Sequence, residues 1–157
     1  MKLHIEYLEN YKKEYERVHY KHPSDSAFDL RACIEAPITL KQHEFALIAT
    51  GIKCEVVPGD GMPPFIGYEI QVRPRSGLAA KNAISIPNSP GTVDFGYRGE
   101  IKVTLINHGA EDFTINPGDR IAQAVVCPII KPEIVAVDKV NDTSDRGSGG
   151  FGSTGVK

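Results

Sequence analysis

Ile101-Lys102-Val103-Thr104-Leu105-Ile106 alternates apolar and polar side chains through Leu105 and then stops at the turn residues Asn107-His108-Gly109. A period of two residues is the mark of a half-buried strand, and a short run closed by turn formers sets its length. Runs of the same kind recur on both sides. Toward the N-terminus lie Leu3 to Tyr7, Ile38-Thr39-Leu40, Phe45 to Ile48, Ile52 to Val56 and Tyr68 to Val72. Toward the C-terminus come Phe113-Thr114-Ile115 and Ala122 to Ile130. Pro58-Gly59-Asp60-Gly61, Pro63-Pro64 and Asn116-Pro117-Gly118-Asp119 punctuate them. Many short strands with regular turn signals predict an all-β barrel, sandwich or jelly roll. Helix is scarce: Leu78 to Asn82 offers one or two turns. Leu8 to Tyr20, charged and tyrosine-rich, leaves loop, strand and one poor helix open.

The chain's 157 residues favour one domain, and 41% hydrophobic residues suffice for a core. With 18 Lys and Arg against 20 Asp and Glu, the net charge of -2 gives no electrostatic case for wrapping nucleic acid. Phosphate binding must come from a local arrangement. Cys33, Cys54 and Cys127 are far apart and odd in number, so neither a zinc knuckle nor a disulfide framework is expected. No apolar run approaches the roughly 20 residues of a membrane helix, and the opening Met1 to Tyr7 lacks the apolar stretch of a secretion signal. A reduced, cytoplasmic protein without membrane partners is the expectation.

Residues 141–157 differ from the rest. They hold five glycines (147, 149, 150, 152 and 155) and one aromatic, Phe151. Such a segment buries too little apolar area to offset the entropy of ordering it. The division expected is therefore a β domain over 1–140 and a flexible arm over 141–157. Gly147-Ser148-Gly149-Gly150-Phe151-Gly152 spells GxGxxG, but the five residues after it are not expected to supply the helix a dinucleotide fold needs. Ser153 stands where a P-loop has lysine. The composition still suits a phosphate: glycines admit backbone N–H groups, Ser148, Ser153 and Thr154 add donors, and Arg146 brings a charged fork. Phe151 offers a face for a base. The plain alternative is a frayed terminus.

Four further stretches carry polar groups on short connections. Pro74-Arg75-Ser76-Gly77 follows a strand and offers a guanidinium, a hydroxyl and a free backbone. Asn88 to Glu100, NSPGTVDFGYRGE, reads as a hairpin bounded by glycines, with Asp94 between Val93 and Phe95 where a carboxylate can face a water. Gly118 to Gln123, GDRIAQ, feeds an apolar strand; Gln123 is either a structural amide or a ligand donor. Ser26 to Ala32, SAFDLRA, sets Asp29 among apolar neighbours. A carboxylate near a turn is ordinarily a solvated residue, and Ser-Gly after a strand is ordinarily a turn. No GxSxG nucleophile elbow occurs.

The order of these stretches decides their meaning. SAFDLRA, PRSGLAAKNAI, NSPGTVDFGYRGEIKV, GDRIAQ and RGSGGFGSTG, in that sequence from residue 26 to 155, resemble the five ordered motifs of the dUTP pyrophosphatase family. The resemblance implies a jelly-roll subunit with at most one short helix, in a homotrimer with sites at subunit interfaces. By the same resemblance Asp94 activates the water that attacks the α-phosphorus of dUTP. Tyr97 packs under the deoxyribose and excludes a 2′-hydroxyl. The backbone from Gly91 to Tyr97, Thr92, Val93 and Asp94 included, with Asn88 nearby, reads uracil. Arg75, Ser76, Gly77 and Gln123 face the phosphates, and Lys102 lies at the pocket edge. Mg2+ is carried mainly by the triphosphate, with Asp29 touching it through water. Arg146, Phe151, Gly152, Ser153 and Thr154 close the site. Two positions depart from the family's common pattern: Gly96 stands where many members have an acid, and Ser26-Ala27 replaces Ala-Gly. The residues agree with phosphoryl chemistry, which needs positioning and charge neutralisation more than a covalent nucleophile.

Two alternatives share the fold. A dCTP deaminase would need an acid-base group on the cytosine ring and typically an Arg-Ser-Ser second motif, whereas Gly77 follows Ser76 here. A regulator would bind nucleotide or protein without turnover.

Overall fold

The computed structural model describes residues 1–61, 63, 65–141, 143–144 and 147–148. Among them eleven strands and one helix follow in the order β1 Lys2–Tyr7, β2 Phe28–Arg31, β3 Ile38–Leu40, β4 Phe45–Ala49, β5 Ile52–Val57, β6 Ile66–Pro74, α1 Ser76–Asn82, β7 Ile84–Ser85, β8 Gly91–Asp94, β9 Lys102–Asn107, β10 Phe113–Ile115 and β11 Arg120–Ile130. Every pairing among them is antiparallel. One sheet runs β2-β11-β6-β8, another β4-β9-β7, and two ribbons pair β1 with β5 and β10 with β3. The chain is an all-β, jelly-roll-like subunit, as expected. No helix among the described residues is long and apolar enough to cross a membrane.

Alternation in sequence becomes alternation in burial. Ile52, Cys54 and Val56 of β5 point inward while Lys53 and Glu55 stand outward, and Val103, Leu105 and Asn107 of β9 repeat the pattern. Together with Leu30, Ile48, Ile84, Ile101, Ile115 and Ile121, each at most 1% exposed, they fill one core. Asn107 belongs to that core as the last residue of β9. Its amide donates to the carbonyls of Leu40 and Glu111 at 2.9 and 2.8 Å and accepts from the Gly109 N–H at 2.8 Å. All its capacity is engaged, as a fully buried amide requires.

β11 is the longest strand, flanked by β2 at its start and β6 throughout. Pro128 falls beyond Ala124, where pairing with β2 has ended, which tolerates a residue lacking an amide hydrogen. Four of the seven residues of α1, Leu78-Ala79-Ala80-Lys81, are good helix formers. Ala83, left-handed at φ 54°, ends the helix.

Leu8 to Tyr20 is an irregular loop. Its tyrosines carry a helical spacing but stack edge-on instead, Tyr7 on Tyr11 at 4.7 Å and Tyr11 on Tyr15 at 5.6 Å. The Tyr11 hydroxyl donates to the Glu16 carbonyl at 2.7 Å, and Arg31 reaches the Glu16 carboxylate at 2.6 Å.

The stretch Asn88 to Glu100 departs from expectation: it is not a hairpin. β8 pairs with β6, and β9, the next strand, pairs with β4 and β7 in a different sheet. The connection from Asp94 to Lys102 therefore crosses between sheets. Gly91 is buried beside its register partner Val72 on β6.

Candidate active site

Two groups of the expected residues assemble at different places on the subunit. The first gathers where β8 ends. Thr92, Val93, Asp94 and Tyr97 line a cleft of about 290 Å³ with Lys102 and Glu100 at the start of β9 and Leu47 of β4. Asp94 is the last residue of an edge strand, opposite Glu69 of β6. The chain turns at once: the Tyr97 N–H donates to the Asp94 carbonyl at 3.0 Å. The Tyr97 ring, 47% exposed, crosses Gly99 and its hydroxyl donates to the Glu100 carbonyl at 3.0 Å. A Cβ on Gly99 would run into that hydroxyl and push the ring aside. Glu100 accepts from the Gly51 N–H at 2.8 Å and stands 3.9 Å from Lys102 Nζ. Asn88 lies beside Gly91, its amide nitrogen 3.4 Å from where a Cβ on that glycine would stand.

The second group forms where β6 ends. Arg75 occupies the N-cap position of α1, and the first intrahelical N–H bond is Ala79 to Arg75. The amides of Ser76 and Gly77 therefore have no partner within the helix. Asp29 on β2 is held between two guanidinium groups: Arg75 Nε donates to Oδ1 at 2.9 Å and Arg120 Nη1 to Oδ2 at 3.1 Å. Arg75 also reaches the Arg120 carbonyl at 3.3 Å. Gln123 is the cross-strand partner of Asp29, and its amide donates to the Pro74 carbonyl at 2.8 Å, leaving its oxygen available. A cavity of about 310 Å³ adjoins this corner, with Asp29, Arg31, Arg120 and Gln123 on one wall. Among the described residues no three His, Cys, Asp or Glu side chains converge as a metal site; Asp29 is the carboxylate that the two arginines hold, and Glu16 and Asp25 also line the adjoining cavity.

Asp94, Tyr97 and Lys102 are thus brought together, as are Asp29, Arg75 and Gln123, while the two groups are kept apart. From Glu69, opposite Asp94, to Pro74 the strand advances five residues, about 17 Å at the usual rise. Arg146, Phe151, Gly152, Ser153 and Thr154 lie outside the described residues. Sequence reasoning missed Arg120, Leu47 and Glu100. Arg120 stood within the quoted GDRIAQ and had a signal; Leu47 had none, because only the sheet order sets β4 beside Asp94.

Comparison with known proteins points one way. The dUTPase family model matches residues 13–155. A deoxyuridine 5′-triphosphate nucleotidohydrolase of Picosynechococcus sp. is 52% identical over 137 residues, covering 87% of this chain and 89% of its own. One from Bdellovibrio bacteriovorus is 44% identical over 151 residues, covering 96% and 94%. The dUTPase of Staphylococcus bacteriophage 80alpha, solved with dUPNHPP, superposes with a TM-score of 0.79 at 26% identity, covering 99% of each chain.

Proposed function

This chain belongs to the dUTPase family and is a dUTP diphosphatase, and we propose that it cleaves dUTP to dUMP and pyrophosphate by attack of an Asp94-activated water on the α-phosphorus. The observation that carries the reading is the cleft at the end of β8, where a carboxylate, an exposed tyrosine ring and a lysine meet beside a free strand edge. Asp94 accepts the proton of the attacking water, general base work that needs a carboxylate within hydrogen-bond reach. Tyr97 lies under the deoxyribose and leaves no room for a 2′-hydroxyl. Backbone groups from Gly91 to Asp94, with Asn88, pair with uracil. Lys102 stands at the rim.

The phosphates belong to the second group. Ser76 and Gly77 present free amides at a helix start, Arg75 adds its fork, and Gln123 a side-chain amide. Asp29 suits a water-mediated magnesium contact: each of its oxygens keeps a lone pair beyond the arginine bonds. Magnesium would ride chiefly on the triphosphate and neutralise its charge, the usual arrangement of phosphates, waters and one or two carboxylates.

Both groups must touch one triphosphate, yet about 17 Å of β6 separates them in a single chain. We therefore read the active form as a homotrimer whose sites lie at subunit interfaces, Asp94 from one chain meeting Arg75 from another. Large apolar side chains left exposed support this: Phe45 and Leu47 on β4, and Ile130, Ile134, Val137 and Val140 at and after the end of β11. The arm over 141–157, with Arg146, Phe151, Gly152, Ser153 and Thr154, closes the site over base and phosphates and excludes water.

Pyrophosphate release from purified protein, tested against each deoxynucleoside triphosphate and UTP with and without chelator, decides the reading. Release from dUTP alone, lost in chelator, is expected. Comparable turnover of UTP or dTTP, or ammonia from dCTP, overturns it. Ending the chain after Asn141 should leave the melting temperature nearly unchanged and strongly reduce turnover; full activity in that truncation removes the arm from the mechanism.

A further inference from the structure

The turn that carries Asp94 and Tyr97 is closed from within by one backbone hydrogen bond, Tyr97 N–H to the Asp94 carbonyl. Its tip is bare: a Cβ built on Gly96 meets nothing within 4 Å. Besides the Tyr97 hydroxyl's bond to the Glu100 carbonyl, the turn needs something to tie its two functional side chains to the neighbouring β1–β5 ribbon. Arg98 supplies it. Its Nη1 donates to the carbonyl of Phe95 at 2.8 Å and to that of Tyr97 at 3.0 Å. Its Nη2 donates to Glu55 Oε1 at 3.2 Å. Glu55 sits on β5 in register with His4 of β1, whose Nδ1 lies 3.5 Å from the other carboxylate oxygen.

We infer that Arg98 is a positioning residue: anchored by Glu55, its guanidinium holds the Phe95 and Tyr97 carbonyls and so fixes Asp94 and Tyr97 in the cleft. The inference rests on the roles proposed above for those two side chains. A planar fork with five donors on three nitrogens presents fixed directions to two carbonyls and a carboxylate, whereas a lysine ammonium has three rotatable donors on a single nitrogen. Arg98 and Glu55 are about half exposed, at 52% and 46%. An ion pair that open contributes little to stability. Its effect is therefore on geometry, and loss of Arg98 should disturb catalysis far more than folding.

The test compares full-length wild type with Arg98→Met, Arg98→Lys and Glu55→Gln. Four quantities are measured: kcat and KM for dUTP, the preference for dUTP over UTP, hydrogen exchange of the Tyr97 amide, and melting temperature with oligomeric state. Arg98→Met should lower kcat/KM for dUTP about tenfold, because small misplacement of a reacting group is costly. It should also relax the preference against UTP and speed exchange at Tyr97, with melting temperature and assembly nearly unchanged. Arg98→Lys should fall between, and Glu55→Gln should shift the same readouts less. Wild-type kcat/KM and preference in Arg98→Met overturn the inference. So does a loss of activity that follows melting temperature alone while preference and exchange stay fixed. Should Arg98→Met fail to fold, the other two variants carry the same readouts. Wild-type protein that does not turn over dUTP at all sinks the reading of the site instead, and the exchange measurement still reports on the turn.

Discussion

Asp94 stands opposite Glu69 on the β8–β6 ladder, at the free edge of the four-stranded sheet. That pairing decides where a proton acceptor can work. Among the described residues β8 has no partner strand on its outer side, and the carboxylate at its end lines the cleft beside Tyr97 and Lys102. The same register keeps it a strand's length from Arg75.

Replacing Asp94 by Asn keeps size and shape while removing the proton acceptor. Turnover of dUTP should fall by roughly 10²–10⁴-fold, the usual worth of a general base. Calorimetry with a non-hydrolysable dUTP analogue should still register binding. Wild-type turnover in this variant would remove Asp94 as the base.

Asp29→Asn separates two roles for one carboxylate. The change weakens two charge-assisted bonds, to Arg75 and to Arg120, and removes the charge proposed above to face magnesium. KM for dUTP should rise about tenfold, the scale of one charged hydrogen bond, and half-maximal rate should require more magnesium. A higher KM with unaltered magnesium dependence would leave Asp29 as an arginine clamp and nothing more.

Burial of Cys54 contributes to the loss of stability at alkaline pH, alongside Tyr11, Tyr15 and Cys33, whose pKa values burial also raises. Desolvation pushes its thiol from 9.0 up to about 12. The unfolded chain therefore gives up this proton first as pH rises. The stabilisation is fully present below pH 9 and is lost as pH climbs through about 12. Its slope reaches about 1.4 kcal/mol per pH unit for one such group. Urea midpoints of wild type and Cys54→Ala across that range check this: the alkaline decline should be shallower in the variant. Identical slopes would show that other groups govern it.

How much was legible follows from what each feature depends on. Strands that alternate on their own were readable: Phe113–Ile115 matches its run, and Lys102–Asn107 and Ile52–Val57 differ from theirs by one residue. β2 was seen as a motif rather than a strand: Phe28-Asp29-Leu30-Arg31 does alternate, in burial as in sequence, but four residues are a short run to read. β7, two residues long, had no signal of its own. The supposed hairpin at Asn88 to Glu100 failed because local turn chemistry does not say which strand a β-run will pair with. Contacts across long separations were illegible for the same reason. Arg120 meets Asp29 across 91 residues and Arg98 meets Glu55 across 43, and only sheet order brings either pair together. Motif order along the chain singled out candidate residues by resemblance, but not that one chain holds them in two places.

That separation gives the sharpest prediction about assembly. Asp94→Asn spoils the group at the end of β8 and leaves Arg75 intact; Arg75→Ala does the reverse. Each variant alone should be nearly inactive. If a site draws Asp94 from one chain and Arg75 from its neighbour, re-annealing equal amounts of the two creates some sites with both groups sound. In a closed ring with heterologous interfaces, random mixing makes about a quarter of the sites wild type in both respects. Pyrophosphate release should therefore recover to about a quarter of the wild-type rate on the same counting, with mixed trimers verified by native mass spectrometry. Rates should depend on the mixing ratio and peak near equality, because each variant supplies the half the other lacks. A site built within one chain would instead recover nothing at any ratio. Absence of recovery in verified mixed trimers would place Asp94 and Arg75 of the same chain at one site and require β6 to bend far more than its register with β8 and β11 allows.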